Sequence, residues 1–217
     1  MNNISDIQDN EDLAFFGRIN ASISHELKNI FAIISEAAGL LNDLTELAEK
    51  GKPIDLGIFR TCSQDIEEEI QRGFATVKEM NTFSHTADTT VASISLVATL
   101  GLMSNIAGYL SYASKVRINV PDNADPMVFT CPFRLQHLIY LALVFAFKMT
   151  GPEGEIQVSI TADENNDVKI SFSNLGKLND EKFPVDKIIA IADSIHARVC
   201  VTDDFQAFDI RLPKAIA

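Results

Sequence analysis

Phe16-Gly17-Arg18-Ile19-Asn20-Ala21-Ser22-Ile23-Ser24-His25-Glu26-Leu27-Lys28-Asn29 lies within a longer stretch, residues 13–48, whose apolar residues recur at alternating steps of three and four. Leu13, Phe16, Ile23, Leu27, Ile30, Ile34, Ala37, Leu41, Leu44 and Ala48 fall on one seam, with Asn20 its polar interruption. Heptad spacing sustained this long predicts a helix packed in a bundle or coiled coil. With Leu13 taken as an a position, His25 falls at f, away from the seam, and Glu26 follows at g. Asn29, one turn on, shares nearly the same face as His25. A histidine belonging to a core would occupy a or d, so His25 is expected to face solvent.

The first helix is expected to end near Ala48, because Gly51 and Pro53 in Glu49-Lys50-Gly51-Lys52-Pro53-Ile54-Asp55 both break helices. A second helix, from about Leu56 to Ser84, carries Phe59, Cys62, Ile66, Ile70, Phe74, Val77 and Met80 at helical spacing. Two long amphipathic helices joined by a short loop form an antiparallel hairpin. One hairpin cannot bury both stripes, so a homodimer forming a four-helix bundle is expected. Gly73 and the acidic group Asp65, Glu67, Glu68 and Glu69 suggest an exposed face and some irregularity in the second helix.

The 217 residues hold one large domain or two small ones. A content of 47% hydrophobic and 22% charged residues is globular. The net charge of −12 argues against a nucleic-acid partner, since phosphate backbones demand clustered cations. The unbroken apolar run Leu138–Phe147 is too short for a bilayer. With no secretory signal at the start, no membrane association and a cytoplasmic location are expected. The three cysteines, Cys62, Cys131 and Cys200, form no C-x-x-C pair and are expected to be buried thiols. No histidine spacing suggests a metal site.

Beyond the polar junction 84–90 the pattern changes. Residues 91–96 read as a strand, 97–114 as a helix, and 116–120 as a strand ended by Pro121-Asp122-Asn123. A short strand at 128–130 precedes an apolar helix at 133–149. Strands 155–162 and 168–173 flank the acidic turn 163–167. A helix at 184–196 and a closing hairpin, 198–202 with 207–212, complete the order. The fold class is therefore α+β: a helical hairpin (1–87) followed by an α/β sandwich (88–217).

An isolated exposed histidine is ordinarily just solvated surface; the setting of this one differs. Ser24-His25-Glu26-Leu27-Lys28-Asn29 resembles the phospho-acceptor motif of bacterial sensor histidine kinases, and residues 88–214 resemble the ATP-binding domain of that family. The stretch 133–156 carries that second likeness most clearly. The resemblance implies a dimeric phospho-acceptor bundle, a histidine-kinase-ATPase-like sandwich, and receiver domains of response regulators as partners. It also implies nucleotide chemistry, and there the sequence departs from the family. Where the family's asparagine holds Mg²⁺ this chain has Phe145, whose ring offers no oxygen to a hard cation. The adenine-binding carboxylate is replaced by Asn174, within Ser173-Asn174-Leu175-Gly176-Lys177-Leu178. The glycine-rich turn that lets backbone amides approach phosphate is replaced by Phe183-Pro184-Val185-Asp186-Lys187, and a later Gly-Gly by residues around Ile195-His196-Ala197. Neither ATP nor Mg²⁺ is therefore expected to bind productively, and no cofactor is expected.

The chemistry at His25 follows from its imidazole. Near neutral pH one ring nitrogen is unprotonated and can accept a phosphoryl group. By chemistry and by resemblance, Glu26 would take the proton that the other nitrogen loses. Asn29 would hold water against a partner's aspartyl phosphate, the role that the resemblance gives this position. An acceptor without its own nucleotide must be loaded by another protein. The expected function is thus a histidine phosphotransferase carrying phosphate between His25 and receiver-domain aspartates. Rival expectations are a response-regulator phosphatase using Asn29, a non-catalytic receiver-binding dimer, and an ATP-dependent kinase with a rearranged site. Exposed Phe31 or Ile33 below His25 would help bind the receiver, and His137 and His196 would pack or hydrogen-bond within the sandwich.

Overall fold

Alternating three- and four-residue apolar spacing produces one uninterrupted helix, α1 (Ile4–Glu49). The structure, a computed structural model, describes residues 4–109, 115–120, 126–151, 154–162, 167–176, 178, 183–203 and 205–213. The expected turns at 121–123 and 163–166, the end of the expected helix at 110–114, and Pro152, Glu153 and Lys177 lie outside the described residues. Gly51 ends α1 by adopting φ 72°, which lets its amide donate to Ala48 and that of Lys52 to Leu47. Asp55 then opens α2 (Leu56–Ser84), its carboxylate accepting from the Gly57 amide at 2.7 Å. The acidic stretch and Gly73 produce no break in α2, contrary to the expected irregularity. Asp65, Glu67 and Glu68 are exposed and Glu69 is half-buried, so the charges sit mainly on the solvent side of a regular helix.

The chain divides into two compact units, residues 17–82 and residues 1–16 with 83–217. In the first, α1 and α2 form an antiparallel hairpin. Glu26 meets Arg72, and a Cβ placed on Gly73 would lie 3.7 Å from Ile30 Cγ2. The d positions of the seam, Ile23, Ile30, Ala37 and Leu44, are all buried, whereas the a positions Leu27, Ile34 and Leu41 are only half-buried. One partner helix covers one flank of a seam, which is why the two sets differ. The ends of the seam depart from expectation: Leu13 is 69% exposed and Ala48 is also exposed.

The second unit contains β1 (Ala92–Ser95), α3 (Leu96–Gly108), β2 (Lys115–Asn119), β3 (Met127–Thr130), α4 (Pro132–Thr150), β4 (Glu155–Ala162), β5 (Val168–Ser173), α5 (Asp186–Ser194), β6 (Arg198–Val201) and β7 (Phe208–Leu212). Strands and helices alternate in the expected order, and the fold is α+β as read from the sequence. Five strands form a mixed sheet in the order β2-β4-β5-β7-β6, parallel only at β2–β4, and β1 pairs with β3 in a separate two-stranded sheet. Period-two patterning gives the large sheet one apolar face: Ile156, Val158 and Ile160 of β4, Val168, Ile170 and Phe172 of β5, and Phe208, Ile210 and Leu212 of β7 are buried. The apolar helix α4 supplies Leu135, Leu138, Ile139, Ala142, Leu143 and Ala146 to the core. Ser95 caps α3, its hydroxyl accepting from the Ala98 amide at 3.0 Å.

The first turns of α1 belong to this second unit, which changes which aromatic is buried there. Phe15, rather than Leu13 or Phe16, is fully buried. Its ring stacks on His137 of α4 at 4.0 Å between centroids and lies 5.3–5.5 Å from Phe133, Tyr140 and Phe83. His137 is itself fully buried, with Nδ1 3.7 Å from the Asp12 carboxylate, so it packs in this unit as expected. His196 does not pack: it is exposed at φ 56° in the turn after α5. The cysteines also divide, Cys62 being buried, Cys131 intermediate and Cys200 exposed on β6, so the expectation of buried thiols holds for Cys62 alone.

The Phe15→Ala substitution removes a ring that Phe83, Phe133, Tyr140 and His137 enclose. It is expected to destabilise the α/β unit by about 3–5 kcal/mol, read from the urea midpoint of its unfolding transition. A loss below about 1 kcal/mol would mean that the first turns of α1 are not anchored in this way.

Candidate functional site

His25 is exposed on α1, clear of the stripe buried inside the hairpin, as its f position implies. Successive residues of an α-helix point about 100° apart, and this geometry separates the three candidate residues. Asn29, one turn on and half-buried, lies beside His25: its amide nitrogen is 3.3 Å from Nδ1 of the ring. Glu26 points elsewhere. Its side chain is only 2% exposed, and its carboxylate faces α2, where Oε1 pairs with the Arg72 guanidinium. The structure therefore brings His25 and Asn29 together and places Glu26 on the inner face of the hairpin.

Arg72 was not singled out by reading the sequence. It is 46 positions from Glu26, in a helix whose charges otherwise suggest a solvated face, and only its neighbour Gly73 hints at a close approach to α1. The guanidinium also accepts the help of Glu69, one turn earlier on α2, donating to both carboxylate oxygens at 3.0 and 3.1 Å. Burial works against the charged guanidinium, but the hydrogen bonds and charges of Glu26, then of Glu69, outweigh it and hold its pKa above the ordinary arginine value. Near this pair, Glu26 Oε2 and Ser22 Oγ are buried without a hydrogen-bond partner among the described residues.

Elsewhere on the hairpin, apolar side chains remain outside. Phe31, Ile33, Leu40, Ile70, Phe74 and Val77 are all exposed, Phe31 and Phe74 by more than 60%. The helical step separates them into groups. Ile33 lies about 80° round α1 from His25, whereas Phe31 lies about 120° away in the other sense, beside Leu27 and Ile34.

In the α/β unit, the positions that the sequence compares with a nucleotide site are engaged in other contacts. Phe145 of α4 stacks on Phe183 with centroids 4.1 Å apart, and both rings pack against Phe208, at 5.9 and 4.4 Å. Phe172 extends this aromatic layer, 4.8 Å from Phe208. Asn174, at φ 65°, donates its side-chain amide to the Glu155 carbonyl at 2.6 Å. The start of α5 carries Asp186 and no capping side chain. Among the described residues no three or more His, Cys, Asp or Glu side chains gather as a metal site, and no helix is long and apolar enough to cross a membrane.

No protein-family model and no curated protein matches this chain. Solved structures do match. The catalytic domain of histidine kinase ThkA is similar over 59% of this chain and 100% of its own, at 16% identity and a TM-score of 0.47. Acinetobacter baumannii histidine kinase AdeS is similar over 88% of this chain and 98% of its own, at 11% identity and a TM-score of 0.46. The mycobacterial sensor histidine kinase MprB is similar over 58% of this chain and 99% of its own, at 13% identity and a TM-score of 0.46.

Proposed function

We propose that this protein is a dimeric histidine phosphotransferase of a two-component phosphorelay, exchanging phosphoryl groups between His25 and receiver-domain aspartates without using ATP. The observation that carries this reading is the placement of His25: an imidazole in open solvent on a rigid helix, its Nδ1 beside the Asn29 amide. A docked receiver can approach such a ring, and phosphoryl transfer asks chiefly for positioning. The lone pair of Nε2 attacks the phosphorus of the aspartyl phosphate. A nitrogen–phosphorus bond forms as the acyl oxygen–phosphorus bond breaks, and the aspartate leaves as its carboxylate. The proton on Nδ1 then departs to an acceptor, and the reverse steps return the phosphoryl group to a second receiver. Glu26 can accept that proton once its carboxylate leaves Arg72. While the pair is closed, Asn29 is the residue at the ring.

The absence of nucleotide chemistry is supported by what stands at the compared positions. Aromatic packing of Phe145 on Phe183 and Phe208 leaves the Mg²⁺-holding position with a ring where an oxygen ligand is required. The Asn174 amide is already used on the backbone of β4. Asp186 at the start of α5 repels phosphate where a helix N-terminus would otherwise attract it.

A second copy of the chain covers the open flank of the seam: half-buried Leu27, Ile34 and Leu41 with exposed Phe31 on α1, and exposed Ile70, Phe74 and Val77 on α2. Ile33 and Leu40, nearer to His25, are left for the receiver. In sedimentation the chain is expected to be a dimer and Phe74→Glu a monomer with unchanged helix content. A monomeric wild-type chain, or a Phe74→Glu dimer, would contradict the assignment of that flank.

The functional test is direct. Receiver domains phosphorylated on aspartate should transfer acid-labile label to the chain, and His25→Ala should abolish it. Loss of receiver phosphate that persists in His25→Ala would instead favour a phosphatase working through Asn29. Receiver binding with neither transfer nor dephosphorylation would leave only sequestration.

A further inference from the structure

One carboxylate, that of Glu26, and one amide, that of Asn29, belong to residues within a helical turn of His25, and only the amide stands at the ring. Glu26, the sequence neighbour of His25, has its carboxylate turned into the hairpin and paired with Arg72. Arg72 is not free to follow Glu26 outward, because Glu69 grips it with both oxygens from one turn earlier on α2. The ring of His25 meanwhile has the Asn29 amide 3.3 Å from Nδ1. An amide and a carboxylate act differently at that nitrogen. A carboxylate only accepts, so at Nδ1 it would favour the tautomer that carries the proton there and leaves the Nε2 lone pair exposed. The amide nitrogen of Asn29 beside Nδ1 can only donate, and a donor there favours the tautomer whose proton sits on Nε2.

We propose that Arg72 is a positioning residue for the His25 reaction: by holding the Glu26 carboxylate inside the hairpin, it keeps that carboxylate from the ring and leaves the imidazole tautomer to the Asn29 amide beside Nδ1. This inference rests on the phosphotransfer reading for its purpose, but its geometry stands on the hairpin alone. A buried carboxylate deprived of its cation is unfavourable. Removing the guanidinium should therefore drive the Glu26 carboxylate out toward water and His25. A bound receiver that drew Arg72 away would release the proton acceptor only in the docked complex, restricting phosphorylation to that complex.

The test needs no receiver. Phosphoramidate donates directly: Nε2 of His25 attacks its phosphorus, the phosphorus–nitrogen bond of the donor breaks, ammonia leaves, and the Nδ1 proton passes to solvent or Glu26. The full chain, ¹⁵N-labelled in its histidines, is compared with Arg72→Gln, Arg72→Lys and the Arg72→Gln/Glu26→Gln double variant. The Arg72→Gln variant is expected to shift the His25 ring ¹⁵N signals toward the Nδ1–H tautomer and to raise the rate of phosphoramidate labelling at least threefold. Arg72→Lys, which keeps the cation, should restore the wild-type signals, and the double variant should lose the gain. Arg72→Met replaces Arg72→Gln if the latter does not fold. Unchanged ring signals and rate in a folded charge-deleting variant, or a gain that survives in the double variant, would overturn the proposal. Failure of the phosphotransfer reading would appear differently, as absence of transfer from a phosphorylated receiver to the wild-type chain whatever Arg72 does.

Discussion

A helix of 46 residues with a continuous heptad seam has more apolar surface than a single 29-residue partner can cover, and this inequality governs the hairpin. The d positions are satisfied within the chain; the a positions and the outer stripe of α2 are not. Whatever covers that second flank must leave the f face open, because the seam occupies the opposite side of the helix. His25 is therefore exposed as a consequence of how the helix is buried. The same rule turns Glu26, one residue away, into the hairpin, where only a cation from α2 makes an ionised carboxylate tolerable. Burial of the seam thus sets both the accessibility of the imidazole and the withdrawal of its neighbour.

In the α/β unit Phe145, Phe183, Phe208 and Phe172 form a continuous aromatic layer, so these side chains support one another through packing. Asn174 is likewise used for structure, tying the end of β5 to β4. These contacts stabilise the sandwich. Under the proposed reading, this unit retains a shape and surrenders a chemistry.

Much of this was legible in the sequence where periodicity is local. The bounds of α2, the stop at Gly51 and the order of the ten elements after residue 90 follow from spacing and turn residues. What was not legible depended on partners distant in the chain. Phe15 outranks Leu13 because the first turns of α1 pack with α4, which no helical repeat reveals. Arg72 reads as one more surface charge until Glu26 is placed against it across the hairpin. His196 is expected to pack or hydrogen-bond within the sandwich and Cys200 to be buried, yet one sits exposed in a left-handed turn and the other exposed on β6. In the site, His25 and Asn29 could be put on one face by counting residues. The orientation of Glu26 could not, since the g position borders the seam and its side chain turns inward only when a partner is present.

The central claim is that phosphate reaches His25 from another protein and not from a nucleotide held by this chain. Incubation of the purified full chain with γ-labelled ATP and Mg²⁺, with no receiver present, tests it most directly. The account predicts no acid-labile label on the protein at any time point. Label that accumulates on the wild-type chain and disappears in His25→Ala would contradict it.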